Sequence, residues 1–108
     1  MTKIIKIYYQ NILVGKIHDP KNDMWYFYGK YEDEINKTAQ DFKNSMKQQN
    51  LKYNIINFEG KYIQWSSDEN EDLQHGLAIG IDAEDFFNFR LVYEDELIET
   101  LQKEEKYS

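Results

Sequence analysis

The sequence predicts one α+β domain spanning residues 1–108. An antiparallel, hairpin-rich β-sheet of about six or seven strands carries one central helix over about 32–50 and a C-terminal helix over about 95–105. Three observations lead there. Short β-rich runs are joined by turn-rich links too short for many crossover helices. Only two stretches change to a helical period. Fifteen of the 17 aromatic residues fall in the strand-like runs, where such side chains pack well.

The first two runs, 3–9 and 12–18, are separated by Gln10-Asn11, and asparagine tolerates the positive φ of a tight hairpin. Asp19-Pro20-Lys21-Asn22-Asp23 has the composition of a type I turn. Residues 24–31 (MWYFYGKY) are apolar or aromatic at both alternating sets of positions, which predicts a central strand covered on both faces. In 32–50, Ile35, Ala39, Phe42 and Met46 recur at spacings of four, three and four and make one stripe of a helix. Glu32, Asp33 and Glu34 suit its positive N-terminal end, and Lys43 and Lys47 its C-terminal end. Runs 51–58 and 61–66 flank Glu59-Gly60, a candidate hairpin turn. A polar loop, 67–76, precedes a short strand, 77–81. The acidic turn 82–85 leads into 86–93, where Phe87, Phe89, Leu91 and Tyr93 alternate with polar residues. Leu97, Ile98 and Leu101 form the stripe of the last helix. No internal repeat interrupts this order.

Composition excludes several classes. There is no cysteine, hence no disulfide framework, thiolate metal site or cysteine nucleophile, which fits a reducing cytoplasm. No apolar run approaches the length of a transmembrane helix, and Lys3 and Lys6 interrupt the N-terminal apolar stretch, unlike a signal peptide. A net charge of −7 argues against nucleic-acid binding through a basic face. That charge is unevenly distributed: residues 1–65 carry +3 and residues 66–108 carry −10. Lys, Asn, Ile, Tyr and Phe, all encoded by A and T alone, sum to 48 residues, so an A/T-rich gene accounts for much of the tyrosine and lysine content.

Catalytic motifs are missing. The chain has no glycine-rich phosphate loop and no nucleophile elbow. Asp68-Glu69-Asn70-Glu71-Asp72 matches the first three ligand positions of an EF-hand, but Leu73 stands where the glycine belongs and Ile79 where the bidentate glutamate belongs. His18, beside Asp19, and His75, before Gly76, are expected to pack at strand ends rather than to catalyse or bind metal. No enzyme activity and no cofactor are expected.

The remaining feature is the acidity, gathered at 68–72, 82–85, 94–96 and 104–105. Such clusters serve solubility and helix capping, or they present an anionic surface to a basic partner. The leading expectation is a small non-catalytic protein that neutralises a basic protein, such as a nuclease toxin, in the manner of an immunity protein or inhibitor. Asp68, Glu69, Glu71, Asp72, Asp82, Glu84 and Asp85 are the expected contact residues. Trp25 and Trp65 would serve as anchors if exposed, but both are expected in the core. No nucleic acid or membrane partner is expected. One alternative is a homodimer or other self-associating domain that uses an aromatic sheet face. Another is a small-ligand binder or enzyme with a pocket between sheet and helix.

Overall fold

The computed structural model describes residues 3–107, with side chains described through residue 103. The elements run β1 (Ile4–Tyr9), β2 (Ile12–Asp23), β3 (Tyr26–Asp33), α1 (Lys37–Lys47), α2 (Leu51–Asn57), β4 (Lys61–Ser67), β5 (Gln74–Ile81), β6 (Phe86–Val92) and α3 (Asp95–Tyr107). The α+β class and the antiparallel sheet agree with the sequence reading. The sheet, however, closes on itself: six strands form a barrel in the order β1-β2-β3-β6-β5-β4, and β4 pairs back onto β1. Among the described strands no edge is left unpaired. No helix among the described residues is long and apolar enough to cross a membrane.

Alternation along the strands divides inside from outside. Ile5, Ile7, Val14, Ile17, Ile63, Phe87 and Phe89 are buried in the interior cluster. Helix α1 closes one end of the barrel. Its stripe of Ala39, Phe42 and Met46 is buried in the same cluster, and Phe42 packs on Tyr9 and Phe87 with ring centroids 5.0 and 6.0 Å apart. At the other end Phe27, Trp65 and Phe89 fill the interior, with centroid separations of 5.5–5.7 Å.

Gly15 faces this interior because Tyr31 occupies the space across from it. A methyl group there would lie 2.4 Å from the Tyr31 ring, whose hydroxyl donates to the Val14 carbonyl at 3.0 Å. Burial and the neighbouring Asp33 and Glu34 raise the Tyr31 pKa far above the usual tyrosine range.

A second cluster lies outside the barrel wall. Leu77, Ile79 and Val92 pack with Leu51, Phe58, Leu97, Ile98 and Leu101 from the α2 and α3 regions. Strand β5 is therefore covered on both faces, and all residues from Gly76 to Ile81 are buried. The two-sided strand expected over 24–31 is thus β5 instead. In β3 only Gly29 and Tyr31 are buried, and the outward Tyr26 and Tyr28 are half-buried.

Three further expectations are corrected. Residues 51–58 form α2 rather than a seventh strand: Asn50 caps the helix by accepting from the Tyr53 amide at 3.0 Å. The buried Asn54 side chain donates to the Ile79 carbonyl at 2.9 Å and fixes the helix to β5. Its adjacent Ile55 and Ile56 resemble a strand in sequence, yet here they face solvent. Glu59-Gly60 is consequently a helix exit rather than a hairpin turn, with Phe58 in the left-handed region.

Second, Asp19-Pro20 is not a turn between strands. It forms an irregularity within the 12-residue β2, where the pairing register with β3 shifts between His18 and Lys21 and Asp19 has φ +49°. The hairpin turn comes later, at Met24-Trp25. Third, the central helix spans Lys37–Lys47 rather than 32–50, because residues through Asp33 remain paired in β3 and Asn36 caps α1 through the Ala39 amide at 2.7 Å. Ile35 lies before the helix and is fully exposed. Asp33 joins α1 differently, accepting from Gln40 at 2.7 Å and Lys43 at 3.1 Å.

Two tests follow from this packing. Phe87→Ala should cost about 3–5 kcal/mol, and Gly60→Ala at least about 2 kcal/mol, in urea unfolding. Gly60 has φ +147°, and a methyl group there would lie 2.1 Å from the Ala78 carbonyl oxygen. The hydrogen bonds from Gln40 and Lys43 hold Asp33 below the ordinary carboxylate range. Its stabilising contribution is therefore present above the unfolded-state pKa and lost as pH falls through the folded value. Asp33→Asn should be less stable than the native protein at neutral pH, and the difference should close below about pH 4, measured by urea midpoints across pH.

Candidate interaction surface

Strand registers place the predicted acidic clusters at opposite ends of the barrel. Loop 68–73 follows β4 and precedes β5, at the end away from α1. Residues 82–85 join β5 to β6 at the α1 end. The pairing of His75 with Val92 brings the end of β6, and hence Glu94, Asp95 and Glu96, to the same end as loop 68–73. The 104–105 side chains lie outside the described residues.

At the α1 end the acidic groups are engaged in the turn itself. Asp82 Oδ1 accepts from the Glu84 and Phe86 amides at 2.9 and 3.0 Å. Asp85 has φ +63° and pairs with Lys47 at 2.9 Å, which lowers its pKa. The Glu84 carbonyl accepts from Lys30 at 3.0 Å. These contacts hold the β5–β6 turn against α1 and β3.

The far end is different. The β2–β3 turn leaves Met24 79% and Trp25 48% exposed, and Tyr93, just past β6, is 55% exposed. The Trp25 and Tyr93 rings meet edge-on at 6.0 Å. The Leu91 amide donates to the Trp25 carbonyl at 2.7 Å, fixing the turn against β6. Arg90 lies between aromatic groups, with its guanidinium carbon 5.9 Å from the Trp25 ring centre and 4.2 Å from that of Phe58. Trp25 is thus exposed but held in place, whereas Trp65 packs inside the barrel and donates from Nε1 to the His75 carbonyl at 3.1 Å. Trp65 is partly buried against the interior cluster, so the expectation of core burial is met in part there, and it fails for Trp25, because the hairpin turn falls on Met24-Trp25.

Acidic side chains occupy the same end. Asp23 precedes the turn; Asp68, Glu69, Glu71 and Asp72 lie on the β4–β5 loop; Glu94, Asp95 and Glu96 start α3. All of them are exposed. Asp68 also accepts from the Ile4 amide at 3.1 Å, and Glu69 pairs with Lys3 at 3.2 Å in an exposed, weak ion pair. The loop is closed by reciprocal backbone bonds between Ser67 and Asn70, and Asn70 Oδ1 accepts from the Asp72 amide. Its side chains thus shape a turn rather than converge on one point. Among the described residues, no group of three potential His, Asp or Glu ligands is placed to hold a metal ion.

The histidines are separate. His18 Nε2 lies 2.7 Å from Glu32 Oε1 across the β2–β3 pair, and both side chains are substantially exposed. His75 Nδ1 lies 2.5 Å from the Tyr62 hydroxyl, which also accepts from Gln102 Nε2 at 3.2 Å. Sequence neighbours of the histidines did not reveal these partners, since each pairs across strands.

No protein-family model matches the chain, and no curated protein or solved structure shows significant similarity to it.

The setting of Trp25 can be read by fluorescence quenching at matched ionic strength. With each quencher referenced to free tryptophan, cationic caesium should be favoured over anionic iodide, because carboxylates attract one and repel the other. Trp25→Phe should remove most of the quenchable emission, and Trp65→Phe should leave it.

Proposed function

We propose that the far end of the barrel docks a basic protein and that the protein acts as a non-catalytic inhibitor of that partner, in the manner of an immunity protein. The observation that carries this reading is the exposed Trp25–Tyr93 pair, oriented by Arg90 and bordered by carboxylates on three segments. Tryptophan and tyrosine are the side chains that most often anchor interfaces, and a charged rim steers encounter and fixes orientation. A rigid aromatic side chain also loses little conformational freedom on docking.

Within the expected contact set, Asp68, Glu69, Glu71 and Asp72 stand at this surface. Asp82, Glu84 and Asp85 stand at the other end, where they form the turn. The proposed contacts are therefore the first group together with Glu94, Asp95 and Glu96. Much of the aromatic content that would supply a self-associating sheet face points into the barrel: Tyr31, Phe87 and Phe89 belong to the interior cluster and Phe27 packs against it. This favours docking over that alternative.

Affinity capture from the native cells, followed by mass spectrometry, tests the proposal. The retained partner should be basic and should be released as salt rises to about 0.5 M, where screening leaves only close contacts. Trp25→Ala should reduce its affinity by about 2 kcal/mol or more, and Glu84→Lys should leave it unchanged. An acidic partner, retention indifferent to salt, or equal binding by the Trp25→Ala variant would each overturn the reading.

A further inference from the structure

A groove of about 700 Å³ lies on the barrel wall, away from Trp25. Tyr8 and Gln64, cross-strand partners on β1 and β4, form part of its floor. Tyr62 of β4, Asn11 of the β1–β2 turn, and Glu99 and Gln102 of α3 also line it. Its volume is in the range of sites that hold small molecules.

The walls are held by the fold. Asn11 has φ +67° in a two-residue hairpin turn. Leu97, Ile98 and Leu101 hold α3 against the outer cluster. Gln102 donates to the Tyr62 hydroxyl at 3.2 Å, and the same hydroxyl lies 2.5 Å from His75 Nδ1, so Tyr62 is tied to both α3 and β5. Burial raises the Tyr62 pKa above the ordinary tyrosine value.

The chemistry of the lining is specific. Its polar part is mostly carboxamides and phenols, each offering both a donor and an acceptor, and the larger part of the surface presented is apolar. The charged groups in the lining are one carboxylate, Glu99, and one ammonium, Lys103, four residues apart on α3. Such a set matches a ligand whose groups also donate and accept without carrying charge. Hydroxyl groups do this, and the C–H face of a sugar ring packs against tyrosine rings. A phosphate-bearing ligand would meet a single lysine and no helix N-terminus. An extended peptide usually binds a β-domain by pairing with a free strand edge, and the closed ring offers none among the described strands.

We propose that this groove binds an uncharged, hydroxyl-rich ligand, a sugar or short oligosaccharide. The site is separate from the docking surface, so either reading stands or falls independently of the other. Heteronuclear NMR titration tests it with maltotriose, cellotriose and chitotriose as neutral probes and with glucose 6-phosphate and N-acetylneuraminic acid as charged ones. At least one neutral probe should give saturable shifts at residues 8–11, 62–64 and 99–103, with a Kd of about 10 mM or tighter. Gln64→Ala should weaken binding about five-fold, as expected for one lost hydrogen bond, and Gln102→Ala should do the same. Trp25→Ala, on the other surface, should leave the Kd unchanged. Absence of saturable shifts up to tens of millimolar would overturn the proposal. Shifts mapping outside the groove, tighter binding of the charged sugars, or native affinity in Gln64→Ala would do so equally.

Discussion

Six strands hydrogen-bonded in a closed ring enclose an interior of limited width, and the inward side chains must fill it. The choice of residues follows from that limit. Tyr31 is tolerated inside because Gly15 yields the space and the Val14 carbonyl satisfies the hydroxyl. Gly76 similarly lies beneath Trp65 and Phe89, where a methyl group would meet their rings at 3.1–3.2 Å. Large aromatic groups and glycines are complementary parts of one packing solution. The short helix α1 completes it by placing Phe42 and Met46 over the end of the barrel.

The outer wall answers a different requirement. Leu77, Ile79 and Val92 face outward and would be wet without α2 and α3. Asparagine holds much of this arrangement together. Asn50 caps α2 and Asn54 bonds the β5 backbone from a buried position, while Asn36 caps α1 at the barrel end. Asparagine occurs nine times in the chain. Asn36 and Asn50 each start a helix by accepting from a nearby amide at little entropic cost, whereas Asn54 donates to the Ile79 carbonyl.

Much of the local structure was legible in the sequence. The Gln10-Asn11 hairpin, the alternation in β6 and the Ala39-Phe42-Met46 stripe all correspond to elements, because each is encoded by neighbours within a few residues. Closure was not legible, because it depends on the β1–β4 pairing, for which no turn provides a signal. Residues 51–58 misled because Ile55 and Ile56 carry strand preference while tertiary burial of Leu51 and Asn54 decides for helix. Asn50 was the available signal for that helix. Acidity was legible as a quantity and, through the alternation of strand direction, in part as a placement: loops 68–72 and 82–85 flank one strand and so lie at opposite ends, with 94–96 returning to the end of 68–72. Trp25 was misplaced because the Asp19-Pro20 pair looks like the turn that in fact comes five residues later.

The ring is made of two three-stranded meanders, β1-β2-β3 and β4-β5-β6, joined along β1–β4 and β3–β6. Pairings within each meander are local. Those at the two joins connect residues about sixty positions apart, so their formation carries the larger loop-closure entropy. Register at the joins must be found by matching apolar faces, without a tight turn to impose it. The folding transition state is therefore expected to concentrate where the halves meet, and the chain from Glu34 to Gly60 acts as a tether that sets how often they do.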